Sequence, residues 1–536
     1  MPMTGDNVKF DQFYQSGHMP GFMRGRNYML NMVHFCRRFP MKFFPFFVSR
    51  IFVIACMIMV PGFASAEVEF KARGHWMWGF NVGNVHDQEH SADKDRFQAV
   101  QRLRTIFEFA ASPQLGGAIQ LEMGKTNWGQ AHSGGAIGAD SALTKLRHAW
   151  LDWTIPRLDT RVRMGLQPVN MPSFVNGSPI FSEDTAAIVI SQNFTENIEN
   201  VFFWARASAA NENPGANSLP PYNEMDFFGL AIPFSFDKIR FTPYGMFANV
   251  GINSIGSRQE AGDEWVLSPY KSSLRAVAAN LTPVGGPDIL ANPRRANQLE
   301  PWGSAWWGGI GGKLDFFEPF SLAAEVAWGH AGFGSATVDG RTFEMRRAGW
   351  YGAALAEYKL DWMVPGLLGW YSSGDDDDPW NGSERMPVGK SGNRNWKVLS
   401  LAYDGTPFCP DGGAMILSPN GTMIGTWGLV GRFRDMSFVE NLSHTLRGGY
   451  IRGTNNPDMV TRNPLFTDTT PGGYLTYGDE AFEIDIETKY GIYENLSLVL
   501  DGAWLRVNWD KSVWDGINGN LEQNFLRLGF TAYYKF

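Results

Sequence analysis

Cysteine, charge and long apolar runs are all scarce in this chain. Only 3 of its 536 residues are cysteine. Cys36 and Cys56 fall in the first 66 residues, which leaves Cys409 alone in the rest. One cysteine excludes an intramolecular disulfide framework and a cysteine-built metal site. Charged residues make up 19% of the chain, below the ~25% usual in soluble domains. After residue 66 no apolar run approaches the ~18 residues of a membrane-spanning helix. A membrane protein of this composition must therefore cross with strands closed into a barrel, where every backbone N–H and C=O is paired. Catalytic signatures are also missing: there is no G-x-S-x-G elbow, no H-E-x-x-H and no Walker loop. The chain reads as no enzyme. In "HDQEH", His86 and His90 stand four apart on an expected outer loop, which favours a solvated loop over a zinc site.

Glycine and aromatics are plentiful instead, with 60 Gly, 20 Trp and 14% aromatic residues. That balance suits an all-β membrane protein with aromatic girdles. The N-terminus gives the compartment. Arg37, Arg38, Lys42 and Arg50 precede the apolar Ile51–Val60, and Ala64-Ser65-Ala66 follows as a small-residue cleavage site. This is a signal-peptide pattern. Cleavage is expected after Ala66, so residues 1–66 form a leader and 67–536 the barrel domain. Residues 1–40 fit no part of a signal peptide and point to a start at Met41. "VIAC" (Val53–Cys56) loosely fits a lipoprotein box, but Arg50 breaks the apolar run before it. Removing 7 basic and 2 acidic residues with the leader leaves 39 Lys+Arg against 52 Asp+Glu, a net charge of −13. That argues against a nucleic-acid partner.

The mature chain opens on "VEFKARGHWMWGFNVG" (Val68–Gly83). Alternate residues from Val68 are all apolar or glycine; the others include Glu69, Lys71, Arg73 and His75. Side chains alternate across a strand, so the pattern defines two faces. Trp76 and Trp78 suit a membrane interface, and Glu69, Lys71, Arg73 and His75 are expected to face a wet lumen. The chain ends on "NFLRLGFTAYYKF", alternating again and closing on Phe536. Such an end looks like the last strand of bacterial outer-membrane proteins, which their barrel-assembly machinery reads. Between the ends, strand-like runs are joined by connections alternately short and long. The short ones are 112–117, 156–160, 195–200, 236–240, 317–320, 361–366, 439–443 and 493–497, rich in turn residues. Long segments include 209–224, 251–304, 373–424 and 454–479. Short periplasmic turns with long outer loops predict an up-and-down transmembrane antiparallel β-barrel. The rhythm gives eighteen strands, or sixteen if a weak pair near 363–436 is over-split.

Three stretches carry a family likeness. "VRMGLQPVNMPSF" (162–174), "GLLGWYSSGDDDDPWNGSERMP" (366–387) and "LDWTIP" (151–156) resemble the outer-membrane homotrimeric porins of sulfate-reducing bacteria. The similarity runs from about Glu67 to Phe536. It implies a homotrimer of barrels in the outer membrane, set among lipid and lipopolysaccharide, passing small hydrophilic solutes. The 251–304 and 388–424 segments match no motif of that family and are expected to alter gating or solute preference.

Arginines at i, i+2 mark where selectivity would be set. Arg102 and Arg104 share a strand face, as do Arg161 and Arg163. On a lipid face each Arg would cost ~2–4 kcal/mol, so these point into the lumen; Arg147 is expected to join them. The loop after strand five, 168–185, is expected to fold inward as in general porins and to bring Glu183 and Asp184. A basic wall facing an acidic loop edge would set a transverse field across the constriction. Ordinary lumen lining is the bland reading of the same residues. The run Asp375, Asp376, Asp377, Asp378 offers oxygen ligands for Ca²⁺ but lacks EF-hand spacing, and a solvated acidic loop is favoured. The leading reading is a passive diffusion porin. A substrate-selective anion channel, and a non-conducting structural barrel plugged by 251–304 with its helix-like 268–281, are the alternatives. A barrel enzyme is another.

Overall fold

The computed structural model describes residues 68–84, 96–131, 134–138, 144–209, 222, 224–255, 276–292, 295, 298–390, 396–403, 416–417, 422–466, 473–515 and 521–536. The leader, the "HDQEH" motif and Cys409 lie outside these residues. The chain falls into two compact units. The described part of the smaller one is residues 68–71 with the hairpin end Glu108–Gly117. There the Phe70 and Phe109 rings lie 5.5 Å apart, and Lys71 Nζ is 2.9 Å from Glu69.

The larger unit, residues 72–107 and 118–536, is an antiparallel barrel. Its strands are β1 (Glu69–Gly83), β2 (Arg96–Ser112), β3 (Leu115–Asn127), β4 (Thr144–Ile155), β5 (Thr160–Asn170), β6 (Ser182–Thr195), β7 (Ile198–Ser208), β8 (Met225–Ala231), β9 (Phe234–Ser235), β10 (Ile239–Gly251), β11 (Trp302–Leu314), β12 (Phe320–Val338), β13 (Arg341–Tyr358), β14 (Val364–Ser372), β15 (Thr426–Val439), β16 (Leu442–Gly453), β17 (Glu480–Tyr493), β18 (Leu496–Asn508) and β19 (Glu522–Lys535). β8 and β9 are two pieces of one stave, since both pair with β7 and β10. The break falls at Pro233, which has no N–H to give to the ladder. The barrel therefore has eighteen staves. β1 pairs with both β2 and β19, so the sheet closes on itself. The seam runs in register from His75↔Lys535 to Gly83↔Arg527.

Eighteen, not sixteen, is the count because the weak region does hold two strands, β14 and β15, paired from Val364↔Arg434 to Tyr371↔Trp427. Each of the eight short connections expected from sequence is a tight turn between neighbouring strands. At the β15–β16 turn Asn441 adopts φ 62°, a conformation asparagine tolerates.

The alternation of burial is inverted relative to a water-soluble sheet. On β17, Ile484 and Ile486 are 54% and 48% exposed, while Glu483 and Asp485, which alternate with them, are each 1% exposed. Trp306, Ile310, Val326, Trp328, Leu500, Leu526 and Leu528 extend the outward apolar face over neighbouring strands. Apolar side chains outside and charged ones inside are the arrangement of strands that face lipid.

The interior at the long-loop end is filled by chain. Val277 and Leu281, Ile289 and Leu290 of the short helix Gly286–Ala291, Met386, Val388, Leu399 and Leu401 are all buried. They form one connected core with inward wall residues such as Ala305, Trp307, Tyr351 and Trp370. Of the helix expected over 268–281, the described residues 276–281 are helical. The segments are pinned to one another: Trp307 Nε1 donates to Pro387 O at 2.7 Å, Val388 N to Asn280 O at 3.0 Å, and Gly389 N to Ile180 O at 2.9 Å.

Candidate functional site

Three carboxylates on the wall hold inward-folded loops by their backbone. The loop after β5, residues 171–181, reaches across to β11 and β12. Glu325 of β12 accepts from Ser173 Oγ (2.8 Å), Phe174 N (2.7 Å), Val175 N (3.3 Å) and Tyr351 Oη (2.8 Å). The seat is made of small residues. Ala323 and Ala327 flank Glu325 on the inward face, and Gly311 of β11 leaves room for Phe174, whose ring would lie 2.9 Å from a Cβ placed there. β17 repeats the device. Glu483 accepts from Leu401 N (2.6 Å) and Ala402 N (2.9 Å), and Asp485 from Ser400 N (2.8 Å). A carboxylate receiving backbone N–H donors answers polar groups that a buried loop would otherwise leave unpaired.

The arginines lie on the inner wall in ladders with strand carboxylates. Arg161 and Arg163 of β5 both bind Asp152 of β4, at 2.9 and 2.7 Å. Arg163 also stacks over Trp150 at 4.7 Å. Arg104 of β2 and Arg147 of β4 both bind Glu122 of β3. Arg147 reaches Asp184 at 2.8 Å, as does His148. Arg102 donates to Met77 Sδ at 3.4 Å. Arg432 and Arg434 of β15 share Glu357 of β13, at 2.9 and 2.8 Å. Three times, then, two guanidiniums meet one carboxylate. The β16–β19 sector is different: Arg447 pairs with Asp485 at 3.2 Å and Arg527 with Asp501 at 3.2 Å, beside Glu483.

This differs from a basic wall facing an acidic loop edge. Glu183 and Asp184 are strand residues of β6, opposite Val169 and Pro168 of β5. The inward loop, shortened to 171–181, carries no acid of its own. The opposed charges meet along the wall, between adjacent strands or, as for Arg147 and Asp184, between strands one apart, instead of across a gap. In β1, Arg73 and His75 share the face of the buried Met77 and Asn81, and the His75 ring lies 5.6 Å from that of Tyr533. Trp76 and Trp78 stack on the other face at 4.8 Å. Glu69 and Lys71 belong to the smaller unit, where they pair with each other.

The aspartate run is tied down by hydrogen bonds. Asp375 is buried and turns into the loop core, accepting from Ser383 Oγ, Glu384 N (3.2 Å) and Tyr474 Oη (2.7 Å). Asp376 accepts from Asp378 N (2.9 Å) and Asn381 Nδ2 (3.0 Å), and Asp378 from Trp380 N (3.0 Å). These are local turns of the kind aspartate makes with its own backbone. Among the described residues no three His, Cys, Asp or Glu side chains gather as a metal set.

Sequence reasoning missed Glu122, Asp152, Glu325 and Glu357, the acids that organise the wall. Glu325 stands alone on the inward face of a small-residue strand, "LAAEVAWG", and that is the signal that finds it; Asp152 shares its face with His148 and Thr154.

No family model matches the chain, and no curated protein matches it. Solved structures share a coarse likeness. Pseudomonas aeruginosa OccK2 (OpdF), in complex with glucuronate, is 11% identical with a TM-score of 0.46, covering 87% of this chain and 98% of that one. Acinetobacter baumannii OccAB1 is 12% identical with a TM-score of 0.46, covering 87% and 96%. Pseudomonas aeruginosa OprD is 13% identical with a TM-score of 0.44, covering 87% and 95%.

Proposed function

We propose that this chain is an outer-membrane porin, a passive diffusion channel for small hydrophilic solutes and ions. The inverted barrel carries the reading. A wall with Ile484 and Ile486 outside and Glu483 and Asp485 inside is stable only with lipid around it and polar surroundings within. The charge of the β2–β6 sector of the wall supports an anion preference. Arg102, Arg104, Arg147, Arg161 and Arg163 outnumber Glu122, Asp152 and Asp184 in the β2–β6 sector, and rings of charge tune which ions pass. The outward apolar faces suit lipid or neighbouring copies of a homotrimer.

A substrate-selective channel is the second reading, favoured by the loops that fill the long-loop end. A lumen narrowed by residues 171–181, 276–292, 386–390 and 396–403 would sieve more finely than an open barrel. Liposome swelling separates the two. Uptake of neutral sugars falling smoothly with size supports general diffusion, and rapid uptake confined to small organic anions supports the selective channel. No swelling with any solute, from vesicles holding folded protein, would contradict both.

A further inference from the structure

Residues 386–390, in the loop between β14 and β15, are irregular backbone and buried throughout. Met386, Val388 and Lys390 are 0% exposed. A buried chain outside any sheet must find partners for its own N–H and C=O groups, and here they come from separate parts of the fold. Trp307 Nε1 of β11 donates to Pro387 O at 2.7 Å. Asn280, in the helical residues 276–281, is used twice. Its backbone O accepts from Val388 N at 3.0 Å, and its Nδ2 donates to Lys390 O at 3.0 Å. Gly389 N donates to Ile180 O, in the loop after β5, at 2.9 Å. The root of the segment is fixed as well. Ala348 N of β13 donates to Ser383 O, and Ser383 N to Arg346 O, both at 2.8 Å.

The inner wall is cut back beneath this path. A Cβ on Gly349 of β13 would lie 2.6 Å from Met386 N, and one on Gly329 of β12 would lie 3.2 Å from Pro387 Cδ. Ala331, Ala305 and Ala248, on β12, β11 and β10, form a paired row and are each 0% exposed. Gly389 packs between two rings: a Cβ there would lie 2.7 Å from Phe227 of β8 and 3.2 Å from Phe181. Residues this small let a backbone pass close to a wall. The segment therefore runs along the inside from β13 toward β8 and meets the loop after β5 at its far end. That loop is held at both halves, by Glu325 at Phe174 and Val175 and by Gly389 at Ile180.

We infer that residues 386–390 are a clasp that sets the size limit of the channel. They join the loop after β5, the helical residues 276–281 and the wall of β11 into one body, so that none of these segments moves aside alone. This role rests on the chain being a porin. The residues that fix the limit are then Asn280 and Gly389, neither of which belongs to the arginine ladders.

The test pairs liposome swelling with limited proteolysis of the full-length barrel, for wild type, Asn280→Ala and Gly389→Ala. Asn280→Ala leaves Lys390 O without its donor, and Gly389→Ala drives a methyl group into the Phe227 ring. Each should raise the displaced population of the clasp roughly tenfold. Trisaccharide uptake should then rise severalfold relative to monosaccharide uptake. Protease should cut 171–181 and 276–282 together with 386–390, while heat-modifiable gel mobility shows an intact barrel. Phe227→Leu added to Gly389→Ala should restore the wild-type size limit. If either variant does not fold, Trp307→Phe, which removes the donor to Pro387 O, takes its place with the same expected outcome. Wild-type sugar selectivity in the folded variants overturns the inference, as do cuts confined to 386–390 with the other two segments still resistant. A wild type that admits no sugar defeats the porin reading and the size limit with it, whereas the protease pattern still decides whether the three segments are one body.

Discussion

Glu325 is the residue on which the inward loop depends, and removing its charge should widen the passage. It receives donors from Ser173, Phe174 and Val175 in the loop and from Tyr351 on the wall. A hydrogen bond to a charged group contributes ~1.5–3 kcal/mol net. Glu325→Gln keeps the volume but removes the charge and turns one acceptor into a donor that faces other donors. The loop's hold should weaken by about 2–4 kcal/mol on that scale, enough to raise the released population by roughly 30-fold or more, at about 1.4 kcal/mol per factor of ten. Single-channel recording should then show a larger, noisier open level. Limited proteolysis should cut within 171–181, while heat-modifiable gel mobility shows the barrel itself intact. The reasoning is refuted if Glu325→Gln and Glu325→Ala both conduct as the wild type does and resist protease equally.

Other consequences can be tested separately. Gly311→Val should release the same loop without touching any charge, because a Cβ there lies 2.9 Å from the Phe174 ring and 3.2 Å from Glu325 Cβ; Phe174→Ala added to it should restore the loop's wild-type resistance to protease if the clash is the cause. Ile484→Arg should cost ~2–4 kcal/mol in folding into vesicles if that face meets lipid, measured by equilibrium unfolding, whereas a water-facing position would show almost none. Arg102→Ala/Arg104→Ala removes two lumen charges and leaves Glu122 to Arg147, so the reversal potential should move toward cations; an unmoved potential counts against the arginine wall. Burial pushes the Lys390 ammonium below its ordinary value, opposed by Glu183. The unfolded chain then holds that proton at pH values where the folded one has released it, so stability should rise as pH climbs toward the ordinary lysine value of ~10.4. Lys390→Met should flatten the rise in a melting-temperature series.

The wall of the barrel was legible because membrane strands obey a strict period of two. "VEFKARGHWMWGFNVG" and "NFLRLGFTAYYKF" declare both ends of the sheet, and the two segments pair as β1 and β19. The short turns were equally plain, since Pro, Asp, Asn and Gly mark them locally. The loops were not. Residues 396–403 show no period, and what places them is a set of carboxylates far away in sequence, such as Glu483 meeting Leu401 and Ala402. The arginine pairs could be found from i, i+2 spacing on one strand. Their partners could not, because Asp152 and Glu122 sit on neighbouring strands whose register the sequence does not print. For the same reason Glu183 and Asp184 read as loop residues although the ladder with β5 extends through them.

The most direct test of the account is the current through the purified, folded protein in a planar bilayer under a potassium chloride gradient. The account predicts steady conducting steps whose reversal potential leans toward chloride, with three equal levels if the barrels assemble as a trimer. Silence from protein shown to be folded, or a reversal potential on the potassium side, would contradict it.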